Sequence, residues 1–336
     1  MNYLFVLFIL TFNLFAQLES KECQKVKAAF DIGSGTTKMK VAVVNDCYQS
    51  VEKVLFKAKE KVSYKEDLAK SPNQNFSPEI LQAGKAALKK LVKMAKEEYK
   101  ATVFKGVATS AFRDSKNSSE IIDYAKAKLG LSVEIIDQKL EAKLGFAGVL
   151  STGKYSPKDI VVWDIGGGSM QMTSYSGNNN YRMYLGQLAS VPFKNYIIEK
   201  LHKDHIEYRI TPNPMGWKIS QKAFKKARRT ARRKIKRKLK RKIKKGKVTV
   251  VGIGGVHNYS LMGQMGLKDQ GSYTYKQLRN WSVRNTFRTD KEIGGKYAST
   301  DASNLILVLG FMDALKVKEV VVEDVNLADG VLVYYK

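Results

Sequence analysis

The chain of 336 residues contains only two cysteines, six prolines and three histidines. Beyond its first sixteen residues it has no uninterrupted apolar run of the roughly twenty residues that a bilayer-spanning helix needs. His202 and His205 have no companion cysteine or carboxylate spacing, which excludes a zinc site built around them. No short repeat or low-complexity tract is present, so the chain is not a solenoid or a disordered linker. Acid is missing locally: between Lys218 and Lys247 there are eighteen Lys or Arg and no Asp or Glu, and most of the net charge of +28 comes from that stretch. The other residues, 44% hydrophobic in the whole chain, suffice for two domains with ordinary cores.

What is present centres on Val161-Val162-Trp163-Asp164-Ile165-Gly166-Gly167-Gly168-Ser169-Met170-Gln171-Met172. It predicts a buried strand ending in an acid, then a glycine turn, then a second strand. Successive glycines let backbone N–H groups converge on an anion, and Asp164 at the strand end suits a hydrated cation. The same plan occurs 133 positions earlier in Ala28-Ala29-Phe30-Asp31-Ile32-Gly33-Ser34-Gly35-Thr36-Thr37-Lys38. Two such hairpins predict two related α/β domains facing one cleft, residues 23–139 and 140–336.

Within the first domain the pattern predicts a third strand over 53–61, a helix from Pro78 capped by Ser77, and a strand over 102–108. A loop from Thr109 to Asn117, a helix over 120–128 and a strand over 132–137 follow, with a helix over 140–149 leading into the second domain. There the hairpin 159–175, a strand at 181–185 and a helix at 191–201 precede the basic segment. A strand at 247–252, a helix at 301–315, a strand at 318–323 and the segment 327–334 close the chain. The basic segment, 218–246, reads as one helix, with Phe224, Ala227, Ala231, Ile235, Leu239 and Ile243 on its buried side. It would run about 42 Å at 1.5 Å per residue and present Arg228, Arg229, Arg232, Arg233, Lys236, Arg237, Lys240 and Arg241 to a polyanion.

Residues 1–16 form an uncharged apolar block ending at Ala16, of signal-peptide length. The expectation is a secretory signal removed after Ala16 and a periplasmic address. An uncleaved anchor is the alternative, because the block opens without Lys or Arg and Leu14 stands where a small residue is preferred. Cys23 and Cys47 lie symmetrically about the Ser34-Gly35 turn, so a disulfide at the open end of that hairpin is expected, in keeping with an oxidising compartment.

Asp31-Ile32-Gly33-Ser34, Ala108-Thr109-Ser110-Ala111-Phe112-Arg113 with Asn117, Glu134-Ile135-Ile136 with Glu141-Ala142 and Gly148-Val149, Asp164-Ile165-Gly166-Gly167-Gly168-Ser169, and Gly254-Gly255 occur in one order. That order resembles the exopolyphosphatase/guanosine pentaphosphate phosphohydrolase (Ppx/GppA) family of the actin-like ATPase, Hsp70 and sugar kinase superfamily, in its short two-domain form. The resemblance implies two ribonuclease H-like domains with an interdomain active site, and Glu141 as the base that activates water. It further implies Arg113 as a clamp on phosphate oxygens, and Gly33, Ser34, Gly35, Thr36, Ser110, Gly166, Gly167, Gly168, Ser169, Gly254 and Gly255 around phosphate. Asp31, Asp164 and Glu141 would then serve Mg²⁺ or another divalent cation.

The chain departs from that pattern in three places. Ser169-Met170-Gln171 stands where the family has Ser-Thr-Glu; related ectonucleoside triphosphate diphosphohydrolases carry Gln there, so Gln171 is a candidate for positioning the water. Leu327-Ala328-Asp329-Gly330 replaces Leu-Arg-Glu-Gly, and His257 replaces a small hydroxyl residue after Gly254-Gly255. The expected activity is release of terminal phosphate from inorganic polyphosphate, the basic helix holding the rest of the polymer. Guanosine pentaphosphate could not span that helix. A nucleoside tri- or diphosphatase or (p)ppGpp phosphohydrolase, and a non-catalytic protein that binds nucleic acid or an anionic membrane surface, are the alternatives. A second copy of the chain is a further candidate partner.

Overall fold

The computed structural model describes residues 23–48, 50–178 and 180–335; the expected signal segment lies outside them. β1 (Gln24–Ile32) and β2 (Thr36–Asn45) form the antiparallel hairpin around the first glycine turn, with Asp31 opposite Lys38. Cys23 and Cys47 are disulfide-bonded at its open end, Cα to Cα 5.6 Å. Replacing both by Ser is expected to lower stability by about 3.5 kcal/mol, the chain-entropy value for a loop of some 25 residues, read as a lower urea midpoint.

β3 (Ser50–Lys61) extends the hairpin, and α1 (Tyr64–Lys70) follows. α2 (Pro78–Glu97) starts where expected, the Ser77 hydroxyl accepting from the Ile80 amide. β4 (Val103–Ala108), α3 (Ser110–Asp114), α4 (Ser119–Leu129) and β5 (Ser132–Ile135) complete a sheet of order β3-β2-β1-β4-β5, with β4 and β5 running parallel to β1. Phe30, Tyr64, Phe76 and Phe112 fill its core. The stretch expected as a loop after Ala108 contains a turn of helix, α3, because Thr109 accepts from the amides of Phe112 and Arg113.

α5 (Gln138–Leu150), capped by Asp137, joins the halves. The second sheet takes the order β10-β11-β9-β6-β7-β8, from β6 (Ile160–Ile165), β7 (Met170–Gly177), β8 (Asn180–Gly186), β9 (Thr249–Ile253), β10 (Ser272–Thr274) and β11 (Glu319–Val322). Around it pack α6 (Ser190–Tyr196), continued by a π-helical turn to His202, α7 (Gly216–Lys234), α8 (Arg237–Lys244), α9 (Met262–Met265), α10 (Tyr275–Asn285), α11 (Asp290–Ile293) and α12 (Ala298–Leu315). α12 is buried on nearly every side, with Phe311 next to Trp163. Among the described residues no helix is long and apolar enough to cross a membrane.

The basic segment is not one helix. Ile235 is extended (φ −77°, ψ 127°) and separates α7 from α8. Ala223, Ala227, Ala231, Ile235, Leu239 and Ile243 are all buried, at strict four-residue steps. Each such step over-rotates by about 40° on an α-helix, so an unbroken helix would carry the stripe off the core. The break re-aims it.

α13 (Leu327–Tyr334), expected to close the second domain, crosses to the first and packs on α5, β1 and β2. Its Asp329 pairs there with the buried ammonium of Lys40.

Candidate active site

Both glycine turns end strands at one end of their sheets, and they meet. A side chain on Gly168 would collide with the hydroxyls of Ser110 and Ser34, and one on Gly167 would press on Ser34. The second turn therefore has to be bare to sit against the first. Gly33, Ser34, Gly35, Thr36, Gly166, Gly167, Gly168, Ser169, Gly254 and Gly255 line one cavity of about 200 Å³ together with Asp31, Glu141 and Asp164. Ser110 and Arg113 stand just behind that lining, Ser110 against Gly168 and Arg113 against Glu141.

Glu141 is 6% exposed in the first turn of α5. Arg113 donates from Nη1 to its Oε2 at 2.9 Å and the Ser169 hydroxyl to its Oε1 at 3.1 Å. Burial pushes the Glu141 carboxyl up from its ordinary range, and Arg113 and Ser169 offset part of the rise. Arg113 is itself anchored on the Ile136 carbonyl at 2.8 Å, while its Nη2 is buried with no protein partner. One arm of the fork thus holds the carboxylate and the other awaits an acceptor.

Asp164 lies between Gly254 and Gly145. Gly254 has φ +86°, and a Cβ there would collide with Asp164 Oδ1; a Cβ on Gly145 would come within 3.7 Å of Oδ2. No side chain among the described residues hydrogen-bonds Asp164, and burial, with Glu141 nearby, pushes its carboxyl up to about 7. A carboxyl whose folded value exceeds its unfolded value holds its proton longer in the folded state. Its stabilising effect is thus present at low pH and lost as pH rises from near 4 to about 7. A divalent cation favours the ionised form, so adding Mg²⁺ or Mn²⁺ is expected to raise the melting temperature more at pH 8 than at pH 5, and Asp164→Asn to abolish that difference.

The three expected metal carboxylates share this cavity, but among the described residues no group of three acidic, His or Cys side chains could hold one ion. Lys38 holds Asp31 at 3.0 Å and Arg113 holds Glu141. That leaves Asp164, and a single carboxylate suits an ion that keeps most of its water. Gln171 is opposite Asp164 across β6 and β7. It does not line the cavity, yet it is 1% exposed with both amide atoms unpartnered. Such an amide beside α5 could orient a buried water.

His257 is fully buried, its Nδ1 sharing a 2.7 Å hydrogen bond with the Tyr273 hydroxyl and its ring set edge-on to Trp163. Burial drives its pKa down to about 3, so it is neutral and structural. His202 is likewise structural, bound to the Pro212 carbonyl. Sequence reasoning missed a lysine ladder. Lys57, Lys59 and Lys61 on β3 face Lys40, Lys38 and Thr36 on β2. Lys38, Lys59, Lys61 and Lys296 line the cavity, as do Tyr259, Tyr297, Asp301 and Asn304, with Lys59 Nζ 3.5 Å from the Tyr259 ring centre and Lys61 Nζ 4.9 Å from the Tyr297 ring centre. The period-two lysines of β3 were the available signal.

None of the basic residues of α7 and α8 lines that cavity. The first turns of α12 (Ser299, Thr300, Asp301, Asn304) do, whereas Ala314 at its far end lines a hollow with Arg232, Arg237, Lys240 and Arg241. Thirteen helical residues separate these ends by about 20 Å. Arg229, Arg233 and Lys236 are exposed nearby, and Arg228 is paired with Asp313.

Comparison with known proteins agrees with this architecture. Residues 43–202 match the Ppx/GppA phosphatase family. Two solved structures cover 92% of this chain at 19% identity: the Aquifex aeolicus Ppx/GppA family member (TM-score 0.67, 97% of that chain) and an exopolyphosphatase from Cytophaga hutchinsonii (TM-score 0.69, 96% of that chain). The bifunctional 3-dehydroquinate synthase/phosphatase of Fusobacterium nucleatum is 32% identical over 155 residues, 44% of this chain and only 23% of that longer protein. The match to the Ppx/GppA phosphatase family thus lies in residues 43–202, just under half of the chain, within a two-domain actin-like ATPase-type fold that solved Ppx/GppA structures share.

Proposed function

We propose that the protein is a phosphoanhydride hydrolase that removes terminal phosphate from inorganic polyphosphate. One observation carries the reading: a buried carboxylate, Glu141, stands where the two glycine turns meet, fixed by Arg113 and Ser169, with four lysines lining the same cavity. Backbone amides of the turns would cradle the terminal phosphoryl group, and the unpartnered Nη2 of Arg113 would take one of its oxygens without releasing Glu141. Glu141 would accept a proton from water as the new O–P bond forms and the anhydride bond breaks, the shortened chain leaving as its phosphate anion. Its buried site makes it a stronger base than an exposed carboxylate. A divalent cation, on which Ppx/GppA phosphatases generally depend, would neutralise phosphate oxygens, and Asp164 would hold it. Lys38, Lys59, Lys61 and Lys296 would bind the next phosphates. The Cys23–Cys47 bond supports an oxidising compartment such as the periplasm.

A second reading, a nucleoside tri- or diphosphatase, is favoured by the Tyr259 and Tyr297 rings and by Asn304 in the same cavity lining, the Asn304 Oδ1 being buried without a partner. The two are separated by comparing phosphate release from long-chain polyphosphate and ATP under one set of conditions. Faster release from polyphosphate supports the first reading; ATP hydrolysed as well or better overturns it in favour of the second.

A further inference from the structure

The surface built by α7 and α8 is unused by the cleft chemistry, and its far end lies about 20 Å from the cavity along α12. Its outward face carries Lys218, Lys222, Lys225, Arg229, Arg232 and Arg233 on α7, all exposed and with no acidic side chain on either helix. Like charges at i and i+4 repel, so the surface is costly until something anionic covers it.

A second feature adjoins it. At the start of α7 the amides of Met215 and Gly216 both donate to the Thr286 carbonyl, which ties Trp217 to the turn bearing Phe287. Thr211 and Asn213 both bond Asp290, fixing the preceding loop to the same turn. On these linked segments Tyr208, Ile210, Trp217 and Phe287 are 83%, 59%, 54% and 60% exposed. Large apolar side chains gathered on tied surface segments mark an interaction site rather than ordinary surface.

We infer that the α7–α8 surface and its apolar fringe dock the protein on an anionic lipid bilayer. Basic side chains would face the headgroups while Ile210, Trp217 and Phe287 enter the interface between headgroups and acyl chains. The combination argues for this partner. A bilayer rewards both features at once, charge through the negative surface potential and aromatic or aliphatic side chains through partial burial. A single-stranded nucleic acid or polyphosphate would engage only the charge. Base stacking needs aromatics interleaved with the cations, whereas here they stand at one end of the helix. The inference is independent of which phosphoanhydride the cleft accepts.

The test is co-sedimentation of the full chain with phosphatidylcholine vesicles with and without phosphatidylglycerol, over a range of salt. Residues 1–16, common to all variants, set a baseline shared by every comparison. Above that baseline, binding is expected to require phosphatidylglycerol and to weaken with salt. Joint replacement of Arg229, Arg232, Arg233 and Arg237 by Gln is expected to weaken it about a hundredfold or more, at roughly tenfold or less per cation. Trp217→Ser with Phe287→Ser should weaken binding at high salt, where charge is screened, and unchanged circular dichroism would show both variants folded. Parental binding by either variant overturns the inference, as does binding of RNA or polyphosphate to this surface without any phosphatidylglycerol-dependent binding.

Discussion

Replacing Glu141 by Gln is expected to reduce phosphate release from polyphosphate about 10²- to 10⁴-fold, the span a positioned general base contributes. The amide keeps the shape and can still accept from the Ser169 hydroxyl, which now bonds Oε1 at 3.1 Å, so the turns should keep their contact. What is lost is the proton acceptor. The loss should therefore fall on kcat, with KM and the melting temperature close to the parent's. In the parent the base must be ionised, and burial raises its pKa, so the rate should fall with acid through a value above the ordinary carboxylate range. A Glu141→Gln variant with parental kcat would remove Glu141 from the reaction.

The largest effect on stability is expected at Asp329. Lys40 is 2% exposed, and Asp329 of α13 is its ion-pair partner across the domain boundary. Burial already lowers the Lys40 pKa with that partner present. Asp329→Ala would leave an ammonium buried and uncompensated, at a cost of about 3–5 kcal/mol. It would also remove the acceptor for the Asn326 amide at 2.9 Å, which starts α13. Joint replacement of Lys40 by Met and Asp329 by Leu should recover most of the loss, because no charge is then stranded. Urea unfolding of the three variants checks this, and a cost below about 1 kcal/mol for Asp329→Ala would show that the pair does not hold α13.

The turns were legible because a phosphate-sized turn needs small residues in unbroken order, and the sequence repeats the device. The disulfide was legible from the same hairpin, since register about Ser34-Gly35 places Cys23 near Cys47. The break at Ile235 was not foreseen, although the four-residue spacing that causes it is visible in the chain. Capping boxes at Thr274 and Thr289 likewise marked α10 and α11. What the sequence could not convey is partnership across the fold. Asp329 read as a shortened acid beside a missing arginine, and only the crossing of α13 pairs it with Lys40. The lysines of β3 show no partner in the sequence, and the second domain supplies Asp324, Tyr259 and Tyr297 against them. The three expected metal carboxylates line one cavity, and only the fold shows that Lys38 pairs with Asp31 and Arg113 with Glu141.

Hydrolysis of long-chain polyphosphate in ¹⁸O-labelled water, with Mg²⁺ and the full chain, tests the central claim most directly. Attack of water on the terminal phosphorus predicts one labelled oxygen in each orthophosphate released and steady shortening of the polymer from its ends, both lost in Glu141→Gln. Internal scission, unlabelled orthophosphate, or no release at all would contradict it.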